Sequence, residues 1–184
     1  MRHGDEQAVP HRIHGPWPAL ALPGAATNVW VLMNLLDYID PSLIDLDLQG
    51  STKEQVLSDL VGLLVANGTV RNRDELLTAL MEREGLGSTG IGHGVAIPHG
   101  RSSELSRTAI VFGRTRAEVD FDSIDGQPTR IFFLLVAPEN GSNDHLHLLA
   151  KIARLMRDAG TRQRLLAMES PLQVVELFGV KDPP

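Results

Sequence analysis

The sequence predicts an α/β fold, a central mixed β-sheet flanked by helices on both faces, and three observations carry that prediction. Helical periodicity with capping signals recurs along the chain. Short, strongly apolar runs interrupt it, and one of them, Ile131-Phe-Phe-Leu-Leu-Val136, is continuous enough to be a central strand buried on both sides. Helical segments alternate with single strands instead of following a block of them, which is the pattern of helices covering a sheet.

The elements follow in order. Ser51-Thr-Lys-Glu54 reads as a capping box, with Val56, Leu57, Leu60, Leu63 and Leu64 on one helical face and Asn67-Gly68 as the stop. Asn72 to Glu75 repeats the start signal, and Leu76, Leu77, Leu80 and Met81 form the stripe of a second helix ending near Gly85. A glycine-dense segment, Gly85–Gly100, contains a short buried strand at Val95–Ile97. Thr108–Arg114 and Arg130–Val136 are strands, with a tight turn at Asp125-Gly126 between them. His145, Leu148, Leu149, Ile152, Leu155 and Met156 give a further helix, Arg162–Met168 a short one, and Ser170-Pro171 caps the last.

Residues 1–32 differ from the rest. They carry Pro10, Pro16, Pro18 and Pro23, three of the seven histidines and no visible period, so a flexible extension is expected there, ahead of a domain over 33–180. The apolar stretch Pro18–Leu36 is broken by Pro23, Gly24 and Asn28 and followed at once by Asp37, which suits neither a spanning helix nor a secretory signal. No direct membrane insertion is therefore expected, and a cytoplasmic location is. The formal charge of −6 gives no electrostatic reason to bind nucleic acid. With no cysteine, disulfides and thiolate metal sites are excluded.

The chemistry concentrates in Gly87-Ser-Thr-Gly-Ile-Gly-His-Gly-Val-Ala-Ile-Pro-His99-Gly-Arg101. Five glycines in fourteen residues let backbone amides approach an anion closely. The spacing is neither a Walker loop nor a dinucleotide fingerprint. What remains is a histidine at a strand end, with Pro98 fixing the chain direction before it and Gly100 leaving its ring uncovered. A neutral imidazole is a competent nucleophile near pH 7. A phosphoryl group on it would need donors, and Ser88, Thr89, Gly100 with the other loop amides, and Arg83 are the candidates.

The run Arg83-Glu-Gly-Leu-Gly-Ser-Thr-Gly-Ile-Gly-His-Gly-Val-Ala-Ile-Pro-His99-Gly resembles the phosphorylation-site signature of type-2 EIIA domains, the fructose, mannitol and nitrogen-regulatory branch of the bacterial phosphoenolpyruvate-dependent phosphotransferase system. Asn143-Asp-His145-Leu-His147-Leu-Leu-Ala-Lys-Ile-Ala-Arg-Leu is similar to the helix opened by H-x-H in that family. The resemblance implies that His99 is the phosphohistidine, His145 the second active-site histidine and Arg83 a holder of the phosphoryl group. It also implies a relay without metal, nucleotide or other cofactor: an HPr-like carrier donates, and an EIIB component or a regulatory target receives. The partner would supply the basic side of the contact.

Physical expectations stand beside it. His145 at a helix start would meet free N–H groups and the positive end of the dipole. His147, two residues on, diverges by about 200° and belongs to packing or surface. Arg83 at a helix C-terminus also serves simply to stabilise that end. Ile91, Val95 and Ile97 are candidates for an apolar docking rim, the last two equally for core; His93 is given no role. Two other functions compete with sugar uptake: a regulator that transports nothing, and a metal-binding protein or hydrolase built on His93, His99, His145 and His147.

Overall fold

The computed structural model describes residues 35–141 and 144–179. The extension expected over 1–32 lies outside the described residues, as does Asn143. After a 3-10 turn at Leu35–Asp37 come β1 (Ile39–Leu48), α1 (Lys53–Ala66), α2 (Arg73–Gly85), β2 (Gly90–Gly92), β3 (Val95–Ala96) and β4 (His99–Ser102). Then follow β5 (Ala109–Val119), β6 (Thr129–Pro138), α3 (Asp144–Leu155), α4 (Ala159–Ala167) and α5 (Pro171–Gly179).

The sheet runs β1-β5-β6-β3-β2, with β4 also paired to β6. β1 is parallel to β5, β3 and β4 are parallel to β6, and the β5–β6 and β2–β3 pairs are antiparallel, so the sheet is mixed as expected. Period-two alternation in β6 divides the core. Ile131, Phe133 and Leu135 join Leu148 and Ile152 of α3, Met156 just after it, Leu165 of α4, and Val174 and Phe178 of α5. Phe132, Leu134 and Val136 join Leu57, Leu60, Leu64, Leu76 and Leu80 of α1 and α2. Both faces of β6 are covered by helices, which is why its sequence is a continuous apolar run.

Some boundaries moved. The N-cap of α1 is Thr52, not Ser51: the Thr52 side chain accepts the Gln55 amide, and Gln55 Oε1 reaches back to the Ser51 N–H at 2.9 Å. Gln55 does the work that the sequence reading gave to Glu54. Val61 is buried in α1, while Leu63 is only half-buried. Asn72 does cap α2, accepting the Glu75 amide.

β1 was not anticipated. Ile44-Asp-Leu-Asp-Leu48 alternates as a strand should, but Pro41 sits in its first half, where the register with β5 shifts between Ile39 and Ile44. β1 pairs only with β5, and an edge strand tolerates a proline. The glycine-dense segment holds three short strands instead of one. His93 and Gly94, both at positive φ (57° and 74°), form the two-residue turn between β2 and β3, matching a type I′ hairpin turn.

Candidate functional site

His99 is half-buried and opens β4 opposite Leu135, so it stands at the beginning of a strand and not at the end of one. The Pro98 carbonyl accepts the Leu135 amide at 2.9 Å, which anchors the backbone immediately before it to β6. The ring is held from both sides. Nδ1 donates to the Ile97 carbonyl at 3.0 Å. A carbonyl only accepts, so this bond places the hydrogen on Nδ1 and the free lone pair on Nε2. Arg83 Nε donates to that Nε2 at 3.2 Å. Arg83 lies in the last turn of α2, and its Nη1 donates to the Gly87 carbonyl at 3.1 Å, which orients the guanidinium toward the ring.

Burial pushes the His99 imidazole below the ordinary histidine value. The Ile97 bond opposes that shift, the positive charges of Arg83 and His145 add to it, and the Glu84 carboxylate opposes it. His145 therefore lies near enough to act on His99 electrostatically. It is the second residue of α3, and its Nδ1 is buried without a hydrogen-bond partner among the described residues. His147 is exposed, as the helical geometry predicted. The structure thus brings Arg83, His99 and His145 together from α2, β4 and α3. His93 stays apart: its turn precedes Val95, opposite Ile131, whereas His99 lies four residues further along β6. Among the described residues, no group of three or more His, Cys, Asp or Glu could hold a metal ion.

The family model described as "Phosphoenolpyruvate-dependent sugar phosphotransferase system, EIIA 2" matches residues 37–179. The chain belongs to the EIIA type-2 family. It is 41% identical over 135 residues to a nitrogen regulatory protein of Bradyrhizobium diazoefficiens, covering 73% of this chain and 88% of the relative. It is 36% identical over 136 residues to the fructose-specific EIIA component of Haloferax volcanii, covering 74% and 88%. Against the fructose-specific EIIABC component of Bacillus subtilis it is 33% identical over 150 residues, 82% of this chain but only 24% of that longer protein. The crystal structure of the nitrogen regulatory protein IIA-Ntr from Neisseria meningitidis superposes with a TM-score of 0.73 at 33% identity, covering 78% of this chain and 98% of that one. IIA mannitol of Escherichia coli, solved in complex with phosphorylated IIB mannitol, gives 0.64 at 25% identity, covering 77% and 96%.

Two of the residues expected from sequence to hold the phosphoryl group, Ser88 and Thr89, have their hydroxyls engaged within the protein. The Ser88 hydroxyl donates to the Phe121 carbonyl at 2.7 Å and accepts the Gly90 amide at 3.1 Å. The Thr89 hydroxyl donates to Glu84 Oε2 at 2.7 Å. A hydroxyl has one hydrogen, so neither is left with one to donate to a phosphoryl oxygen. At Gly100 a Cβ would come within 2.9 Å of Leu80 Cδ2, so the glycine there lets α2 lie close against β4. The two hydroxyls thus brace the loop beside the site. Of the proposed docking rim, Ile91 is 36% exposed, while Val95 and Ile97 are core. Leu86 at the C-cap of α2 and Leu146, next to His145, are exposed apolar residues that sequence reasoning did not single out.

Sequence reasoning also missed Glu84. It is buried in the last turn of α2, where a carboxylate faces the negative end of the helix dipole. That mismatch is legible in the sequence, since a carboxylate at a helix C-terminus requires compensating partners.

Proposed function

We propose that this EIIA accepts a phosphoryl group on His99 Nε2 from the phosphohistidine of an HPr-like carrier and passes it to an EIIB component in fructose-type uptake. One observation supports this most strongly: the ring's hydrogen sits on Nδ1, on the Ile97 carbonyl, while its lone pair at Nε2 faces Arg83. In the first transfer the N–P bond to the donor's imidazole breaks as an N–P bond to Nε2 forms, and the Nδ1 hydrogen stays where it is. The donor's imidazole, protonated on its other nitrogen, leaves as the neutral ring. In transfer onward a nucleophile of the acceptor forms the new bond to phosphorus as the Nε2–P bond breaks, and His99 leaves as the neutral ring. The protein supplies in-line positioning and charge stabilisation.

Arg83 Nε–H, released from the lone pair, turns to the incoming oxygens, and the guanidinium charge follows. His145 Nδ1, buried and without a partner among the described residues, is the second group available to the phosphoryl oxygens. The exposed Leu86, Ile91 and Leu146 suit a small, transient contact with a partner protein. The relative solved with phosphorylated IIB mannitol supports an EIIB component as acceptor. Among the described residues no helix is long and apolar enough to cross a membrane.

A regulatory role, in which the phosphorylated and free forms bind a target protein differently, is the second reading. It is favoured by the 41% identity to a nitrogen regulatory protein, against 36% to a fructose-specific EIIA component. Incubation with phosphoenolpyruvate, enzyme I and HPr, read by intact mass, tests the shared step. A gain of one phosphate that disappears in His99→Ala is expected; a gain that persists in His99→Ala rejects the assignment.

A further inference from the structure

Glu84 has no task in the transfer just described, yet it is held by more bonds than any group that does. Its side chain is 4% exposed. Oε1 accepts the Thr89 amide at 3.0 Å and Lys53 Nζ at 3.2 Å, and Oε2 accepts the Thr89 hydroxyl at 2.7 Å. Lys53 is anchored in turn by Asp122 at 2.7 Å and lies over the Phe121 ring, 5.0 Å from its centroid. A buried carboxylate at a helix C-terminus is opposed by both desolvation and the dipole, so it persists only with such partners.

The bonds close into a circuit around His99. Glu84 holds Thr89 by its amide and its hydroxyl. The Thr89 carbonyl accepts the Ile97 amide at 3.0 Å, and the Ile97 carbonyl accepts His99 Nδ1–H at 3.0 Å. From the other side Arg83, covalently next to Glu84, donates to His99 Nε2. One residue pair in the last turn of α2 therefore reaches both nitrogens of one ring, Arg83 directly and Glu84 through Thr89 and Ile97.

We propose that Glu84 is a positioning residue for His99: its clamp on Thr89 fixes the Ile97 carbonyl, and with it which ring nitrogen is free, and ties that carbonyl to the helix turn that presents Arg83. The inference rests on the reading that His99 accepts the phosphoryl group. Lys53 neutralises the clamp, and the Thr89 hydroxyl is one of its two attachment points. This explains why a threonine stands in the loop although its hydroxyl cannot serve the phosphoryl group.

Two variants test it. Thr89→Val keeps the shape and removes one attachment; Glu84→Gln removes the charge that Lys53 answers. In rapid-mixing transfer from phosphorylated HPr, each should slow the maximal rate about ten- to hundredfold, leaving the carrier concentration for half-maximal rate unchanged. Thr89→Ser, which restores the hydroxyl, should recover the rate, and the double variant should be no slower than the slower single one. Nitrogen-15 spectra of His99 should change from one dominant Nδ1–H form to a mixture. Full rates in folded Thr89→Val, or an effect confined to the half-maximal concentration, would overturn the proposal. If Glu84→Gln does not fold, the Val and Ser pair at position 89 decides. If the unsubstituted protein takes no phosphate at all, the transfer reading fails by itself, and the nitrogen-15 comparison still decides whether the clamp sets the ring.

Discussion

Two stretches of backbone lie side by side in the sheet and serve different ends. β6 runs unbroken over ten residues, with neighbours along both edges and apolar side chains on both faces. The lane beside it is made of β3 and β4, two residues and then four, which pair with β6 at Val95–Ala96 and again from His99. Between them, Pro98 brings no N–H to the ladder, and Ile97 sends its amide to Thr89 and its carbonyl to an imidazole. The regular lane supplies cohesion. The broken one turns backbone groups that would have paired with a strand into holders of a reactive ring.

Substitutions in the two lanes should therefore separate stability from chemistry. The largest functional effect belongs to the broken lane: His99→Ala should abolish phosphate uptake by intact mass while changing unfolding free energy by only about 1 kcal/mol, as expected of a half-buried site. In the regular lane, Phe133→Ala removes a ring fully buried between Phe112 and Phe178, with centroids 5.0 and 5.8 Å away. It should cost about 3–5 kcal/mol in chemical denaturation, with the rate per folded molecule preserved. A lost rate in the folded fraction would erase the distinction between the lanes.

Arg83→Ala should slow transfer about a hundredfold, by analogy with the loss of one oxyanion donor, with the fold intact; unaltered rates would remove Arg83 from the site. The pH response is subtler. The His99 value lies below 6.5, so the ring remains neutral, and able to accept, down to a pH where an exposed histidine is already charged. Its contribution to folding has the matching sign: complete above 6.5, and lost as pH falls toward the folded value, because the unfolded chain takes up the proton first. An NMR titration of His99 with a midpoint at or above 6.5 would contradict this. The smallest effect is expected from Ser88→Ala, about 1 kcal/mol of stability through the lost bond to Phe121, with no change in transfer rate.

The architecture was legible where burial imposes a period. β6, α2 and the helices after residue 144 follow from apolar spacing, since each must hide a stripe or a face. β1 was missed because Pro41 and the acidic residues disguise an alternation that is clear only from Ile44 onward. The site was legible in part. His99, His145 and Arg83 are brought together by three separate elements, and it was the motif that pointed to all three, because spacing along the chain does not report distance across the fold. The engagement of the Ser88 and Thr89 hydroxyls was hidden for the opposite reason. A hydroxyl's residue type shows that it can donate, but only the folded backbone shows that its single hydrogen is already given to Phe121 or to Glu84.

The Ile97 carbonyl finally bears on the identity of the product. An imidazole can carry phosphate on either nitrogen, and the two regioisomers differ in hydrolytic lifetime and in phosphorus-31 resonance. With one nitrogen capped by a backbone oxygen, a phosphoryl group accepted here would form the isomer remote from the main chain and leave the near one unmade. The selectivity would come from a carbonyl that takes no part in bond-making, and it would survive any exchange of partner protein.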